Sequence, residues 1–584
     1  MLDAQNRMMK SGVGMPLQAL LAMACVCGLN ANAATNILDI QKDKFERVIT
    51  GNDPNSDAPE SVKFMSINPA INAWYLVSVK WRGQKEPEIF HIENPRPKNL
   101  FVDVDPAFGE GLILTGQGPE AKRCSLWATK TNAPIRAAKS MKRYYEPICD
   151  GALFVRNPSI GRESTKEVVT DFLRRHVWGG EQITSIVKDT IFKDKFLITG
   201  DLKASDGTVA GNSGAIPEYQ NGPGTAQIQP NLPNKFLIPD YLGIDLGEAN
   251  ALTLEAGSWY PAKRNAGVYV SIIEPMIIKS EILNSFPQVV HKLDATEEKA
   301  IAYLVAFDLS KHELGFALGT KHPSLEWSER ADDRVRSALP GPDGFAVADP
   351  LVVTGGINPI DATKVIATFT GGFKRSHGAF KWGELASINR GSHYGFIENG
   401  VVFSRLVPGL ATVIIFNDGR VDMRTWRNDD NALLKDIRHA RQNGVAIIDW
   451  DEQLKAPVPG RFVGSWHLGN WSGSQDSAQR ALRAGACLQE NQGRQYLIYG
   501  YFSGATANSM ARVFQSYGCR YALHLDMNAL EHTYLALYSS TGKDFGIQYL
   551  ITGMNVLDRE VNGAIIPRFV GTPDNRDFFF VMKK

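Results

Sequence analysis

The chain has 584 residues, 43% hydrophobic and 21% charged, with a formal net charge of +1. This is the composition of a folded globular protein rather than a disordered or fibrous one, and the length suggests roughly two to four domains. Arg7 and Lys10, set against Asp3, account for the +1; the remainder is neutral and carries no basic surplus for nucleic acid.

Residues 1–33 read as a signal peptide. Arg7 and Lys10 form a positive start, Met15 to Leu29 is apolar but short for a bilayer span, and Ala31-Asn-Ala33 fits a small-x-small cleavage site. Cleavage after Ala33 is expected, with lipidation at Cys25 or Cys27 as the alternative. No later run reads as a transmembrane segment, so an exported chain, periplasmic or extracellular, is expected. Outside the signal stand Cys124, Cys149, Cys487 and Cys519. An even, sparse set in an exported chain suggests disulfides, and proximity pairs Cys124 with Cys149 and Cys487 with Cys519; four buried thiols are the alternative.

Residues 34–70 are polar and mixed and read as a loose arm. Residues 71–202 read as a β-rich module. Apolar alternation marks strands at Trp74 to Trp81, Glu88 to Ile92, Leu100 to Val104, Leu112 to Leu114 and Cys149 to Arg156. One helix follows, where Ser164 and Glu167 have capping-box spacing that packing and capping suffice to explain. Residues 203–240, rich in Gly, Pro and Asn, read as a linker, and 241–584 as a larger domain.

In that domain Gly267 to Ile273, Ala302 to Asp308 and Val365 to Thr370 read as strands, the last running into Gly371-Gly372. Paired glycines after a buried strand permit positive φ or close ligand approach to their amides. Arg375 can hold a carboxylate or phosphate bidentately, and His377 can be an acid, a base or a ligand. A tight turn with solvated side chains is the competing reading. Asn399-Gly400 and Asn417-Asp418-Gly419 are hairpin turns. Glu398 belongs to the first hairpin's end, whereas His393 stands at its far end, a better place for a site. If their stretch is helical, Arg480 and Arg483 share one face and suit a phosphate or acidic sugar; a solvated face is the alternative. Tyr496 to Phe502 reads as a strand, followed by a helix capped by Ser503 and Thr506 that buries Ala507, Met510, Ala511 and Phe514.

That helix leads into Tyr521-Ala-Leu-His-Leu-Asp526. Tyr521, Leu523 and Leu525 alternate as in a buried strand, which stops at a carboxylate. Asp526, Asn528, Glu531 and His532 follow closely, groups of the kinds that bind sugars, phosphates or metals, and sites collect where strands end. An Asp capping a turn beside solvated neighbours is the alternative. A divalent metal on these four residues is a further reading, although the spacing matches no established metal loop.

Several of these stretches resemble the phosphodiester glycosidase domain family. Phe369-Thr-Gly-Gly-Phe-Lys is similar to its Asn-Gly-Gly-Phe-Phe motif, with Thr370 in place of Asn. Arg480 or Arg483 followed by Gly485 resembles its Arg-Thr-Ala-x-Gly stretch. Gly518-Cys-Arg-Tyr-Ala-Leu-His-Leu-Asp526 resembles the approach to its Leu-Asp-Gly-Gly-Gly-Ser ending, with Met527-Asn-Ala replacing the glycines. The resemblance covers residues from about 265 to 556 and leaves the N-terminal half untouched. The longer string Asp526 to Tyr534 resembles bacterial exported proteins of undescribed activity.

The resulting expectation is an α+β protein, a β-rich module followed by a larger domain of mixed sheet and helices. Its function would be that of an exported hydrolase, a glycosidase of a sugar phosphodiester or related envelope or extracellular glycan. Asp526 or Glu531 would work with His377, His393 or His532 as acid and base. Gly371, Gly372, Arg375, Arg480, Arg483 and Asn528 would bind the carbohydrate or sugar-phosphate substrate, with no cofactor. A glycan-binding or envelope-assembly protein without turnover is the alternative.

Overall fold

The computed structural model describes residues 36–51, 57–116, 121–165, 167–168, 197–200, 222–232, 235–247, 253–321, 324–381, 383–388, 390–466, 479–541 and 544–584. The stretches expected to be a signal peptide, the body of a helix after Ser164 and most of a linker lie outside the described residues. The fold is α+β and rich in β-sheet, and every ladder between the described strands is antiparallel.

The N-terminal half is built on a six-stranded sheet, in the order Phe45–Thr50, Pro59–Ser66, Trp74–Trp81, Glu88–Glu93, Leu153–Arg156 and Tyr145–Ile148. The first two strands correct the expectation of a loose arm over 34–70. Val62 and Phe64 on one face join Val77, Val79, Trp81 and Phe90 in a core of their own, while Met65 on the other face is buried in the main core. Three further strands, Phe101–Asp103, Gly111–Thr115 and Lys122–Ser125, form a small sheet. The Cys124–Cys149 disulfide ties it to the turn before Leu153–Arg156. Cys149 and Asp150 have φ of 54° and 56°, a turn conformation, so that strand starts at Leu153 rather than at Cys149.

The C-terminal half holds an eight-stranded sheet with the central order Val268–Ile273, Ala302–Asp308, Arg494–Ala505, Ala481–Asn491, Tyr521–Met527 and Ala446–Asp451. Two five-stranded sheets accompany it. One runs His312–Ala317, Phe578–Lys583, Val365–Thr370, Leu535–Thr541 and Asp544–Tyr549; the other contains the hairpin Phe396–Glu398 and Val401–Ser404. Asn399 and Gly400 between those two strands both have positive φ, 47° and 75°, as the Asn-Gly turn predicts. The helix Ala507–Ser516 starts where Thr506 accepts from the amide of Asn508, and it packs Met510 and Phe514 over Gly485. The Cys487–Cys519 disulfide fastens the segment after this helix to the neighbouring strand.

Arg480 and Arg483 do not lie on a helix. Residues Ala481–Asn491 are a strand, buried through nine consecutive positions, and the small residues Ala484, Gly485 and Ala486 give it room between two neighbours. Arg480 stands just before this strand and pairs with Asp294, whereas Arg483 is buried within it, so the two guanidinium groups part company.

The two halves are joined by buried polar contacts. Arg156 pairs with Glu93 and donates to the carbonyl of Val352, while Asn358 donates to Glu93 at 3.0 Å. Gln41 exchanges two hydrogen bonds with the backbone of Val402.

Candidate active site

Four strand ends converge on one place. Thr370 lies opposite Phe578, and Phe369 opposite Leu535. The residues just past or just before these strands are therefore neighbours: Gly371, Arg576 with Asp577, and His532. Asp526, next to last in the strand Tyr521–Met527 of the large sheet, reaches the same place.

Arg576 is the centre of the cluster, with 1% of its surface exposed. One terminal nitrogen pairs with Asp526 Oδ2; the other donates to Glu167 Oε1 at 2.8 Å and to His532 Nε2 at 3.0 Å. His532 Nδ1 lies 3.1 Å from the carbonyl of Met527. A carbonyl only accepts, so the ring proton belongs on Nδ1, leaving Nε2 to accept from Arg576. Glu167 also pairs with Lys374. Asp526 Oδ1 accepts from the amide of Met527 at 2.8 Å.

The two carboxyl groups on this one guanidinium differ in acidity. Burial pushes Asp526 up to about 7, and Arg576 only partly offsets it. Burial would raise Glu167 as well, but Arg576 and Lys374 together outweigh it and hold Glu167 well below the usual carboxylate range. Burial, aided by the Arg576 charge, keeps His532 well below its ordinary value and neutral. One group thus exchanges a proton near neutrality while its neighbour stays ionised, the separation that acid–base sites use.

Glu531 is buried but turns elsewhere, accepting from Ser164 Oγ at 3.3 Å. Asn528 takes φ 79° and donates its amide to the carbonyl of Leu482 at 2.8 Å. His377 is half-buried with its ring centre 6.5 Å from that of His532. His393 is fully buried away from the cluster, packed on Tyr394 at 4.8 Å and Phe373 at 6.3 Å. Arg483 lies beside the site, opposite Met527 in the ladder, donating to the carbonyl of Ala505 at 2.7 Å. Arg480 instead pairs with Asp294 at the start of a short helix.

The two glycines serve packing. The amide of Gly371 donates to the carbonyl of Asp577 at 2.9 Å, so it is already engaged. A Cβ on Gly371 would stand 2.7 Å from Asp577 Oδ2, and one on Gly372 would stand 2.8 Å from Asn443 Oδ1. The space the glycines create is filled by the protein's own Asp577, Asn443 and Arg441 rather than left for a ligand. Among the described residues no group of three or more His, Cys, Asp or Glu side chains stands where it could hold a metal ion.

Reading the sequence missed Arg576, Glu167, Lys374 and the adjoining Arg568–Asp574 pair, whose bidentate contact spans 2.6 and 3.1 Å. A signal for part of this was present. Asp574-Asn-Arg-Asp577 opens directly onto the buried strand Phe578–Lys583, the same strand-end criterion that singles out Asp526. Glu167 carried no such signal, since its spacing from Ser164 is explained by capping, and Ser164 Oγ does accept its amide at 3.2 Å.

No family model matches the chain, and no curated protein matches it. The likeness to solved structures is weak. The catalytic domain of zebrafish N-acetylglucosamine-1-phosphodiester alpha-N-acetylglucosaminidase, auto-inhibited by its pro-peptide, is 9% identical with a TM-score of 0.28, over 55% of this chain and 85% of that one. A hypothetical protein from Synechocystis is 13% identical with a TM-score of 0.23, over 49% and 59%. A Burkholderia pseudomallei protein assigned as exported is 10% identical with a TM-score of 0.20, over 48% and 74%. Similarity at this level carries no functional argument.

Proposed function

We propose that this chain is an exported hydrolase of a sugar phosphodiester or related envelope or extracellular glycan. The observation that supports this reading is the pair of carboxyl groups of unequal acidity on Arg576. Asp526 is the proton donor and acceptor, a role that contributes about 10²–10⁴ in rate. Glu167 is the second, ionised carboxylate of the two that glycoside cleavage generally uses. Neutral His532 receives a hydrogen bond from Arg576 and orients it. Export is supported by the two disulfides, which persist in oxidising compartments. Among the described residues no helix is long and apolar enough to cross a membrane.

A second reading has its own support. Asp526 and Glu167 are 1% and 5% exposed and already engaged by the protein's own cations, as in a fold that binds glycan without turning it over. The test is sugar release from synthetic phosphodiester glycosides and isolated envelope polysaccharides, comparing wild type with Asp526→Ala. Release by wild type that vanishes in the variant is the expected result. No release from folded wild type, with polymer still bound, would replace the hydrolase by a glycan-binding or envelope-assembly protein.

A further inference from the structure

A cavity of about 670 Å³ borders the cluster, and its walls include Lys374, Arg375, Thr320, Ser324 and Trp327. Arg375 is 1% exposed. Its Nε donates to Tyr394 Oη at 2.7 Å, and its guanidinium lies 4.5 Å from the centre of that ring. Tyr394 is fixed in turn by donating to the carbonyl of Ser324 at 2.6 Å. Ser328 holds the backbone of the same turn, donating to the carbonyls of Arg375 and Gly378. The two terminal nitrogens, by contrast, have no hydrogen-bond partner among the described residues.

A buried guanidinium with its stem clamped and its fork empty is costly unless an anion completes it. The other charges on the cavity wall are accounted for. Lys374 and Lys321 are paired with Glu163 and Glu167, and Glu326 and Glu329 are exposed to water. Trp327, half-buried with its Nε1 donating to the carbonyl of Leu339 at 2.6 Å, adds an aromatic wall of the kind that packs against a sugar ring.

We propose that this cavity is a binding site for a sugar bearing an anionic group, a phosphate ester or a uronate carboxylate, held bidentately by Arg375. The inference deepens the hydrolase reading and rests on it for any cleavage of the bound sugar, but binding itself stands without turnover.

The test is titration calorimetry on the full chain with glucose 1-phosphate, glucuronate, inorganic phosphate and, as a neutral control, glucose. Wild type binds at least one of the two anionic sugars more tightly than glucose. Preference for the phosphate ester or for the uronate identifies which anion the fork takes, and either supports the proposal. Arg375→Lys, which keeps the charge but loses the fork, weakens binding by about tenfold or more. Arg375→Met abolishes it; because this variant also loses the hydrogen bond to Tyr394, circular dichroism checks its fold, and Arg375→Lys carries the test where it does not fold. Binding with no sugar release keeps this inference and removes the hydrolase reading. Sugar release with no binding of either anionic sugar, or equal binding by wild type and Arg375→Met, overturns the inference.

Discussion

Asp526→Asn offers the sharpest check on the electrostatics of the cluster. The substitution keeps the shape of the side chain and its acceptor toward the amide of Met527 but cannot ionise. In the folded wild type Asp526 is pushed up to about 7 by burial, against an ordinary value of 3.8. A carboxyl raised in the native state contributes stability that is full below its unfolded value and is lost as pH rises through its folded value. Each unit between the two costs about 1.4 kcal/mol, so from pH 5 to pH 7 the wild type loses about 3 kcal/mol through this one group. The variant has no such loss. Urea unfolding of both proteins at pH 5 and pH 8 therefore gives a variant that gains on wild type by about 3 kcal/mol at the higher pH. An unchanged difference between the two proteins at the two pH values would refute the argument that Asp526 is protonated near neutrality.

Three further outcomes are expected from other parts of the fold. Glu398, buried near Glu93 and Arg156, is pushed up to about 8 by burial, so Glu398→Gln raises stability relative to wild type by about 1.4 kcal/mol per pH unit between pH 5 and pH 8 in the same unfolding assay. Replacing Cys487 and Cys519 together by Ala, which opens a link spanning 32 positions, lowers unfolding free energy by about 3–4 kcal/mol, and calorimetric melting reads it directly. Asn528 stands at φ 79°, so Asn528→Gly is close to neutral, whereas Asn528→Val costs about 1–2 kcal/mol in urea unfolding.

Local patterns are legible where one physical rule governs them. Ala302–Asp308 and Val365–Thr370 form as their apolar runs predict, and the Asn399-Gly400 turn forms as its φ requirement predicts. Of the residues after Asp526, only position 528 takes a positive φ before the next strand, and Asn is the side chain that tolerates it best. The strands within 34–70 escape a reading by composition because Phe45–Thr50 buries no side chain and Pro59–Ser66 breaks its apolar residues with Glu60, Ser61 and Lys63. Arg480 and Arg483 have helix spacing, but Ala and Gly around them make a crowded central strand instead. Asp526 is legible as a strand-end carboxylate, whereas its neighbours are not. Glu167 and Arg576 meet through tertiary packing that no local periodicity encodes.

The distance along the chain between those neighbours has a consequence in time. Glu167 and Arg576 are 409 positions apart, Glu163 and Asn575 are 412 apart, and Ser164 and Glu531 are 367 apart. At about 5–20 residues per second of synthesis, Glu167 emerges roughly 20–80 s before the cation it will meet. The N-terminal sheet can close its own core in that interval, but the charged cluster cannot exist. Its carboxylates must wait in water until the last strand, Phe578–Lys583, has been added between Val365–Thr370 and His312–Ala317. The cluster thus forms only after Arg576 has been made: a chain cut short before it lacks both that cation and the strand Phe578–Lys583 inside the sheet, and has no site.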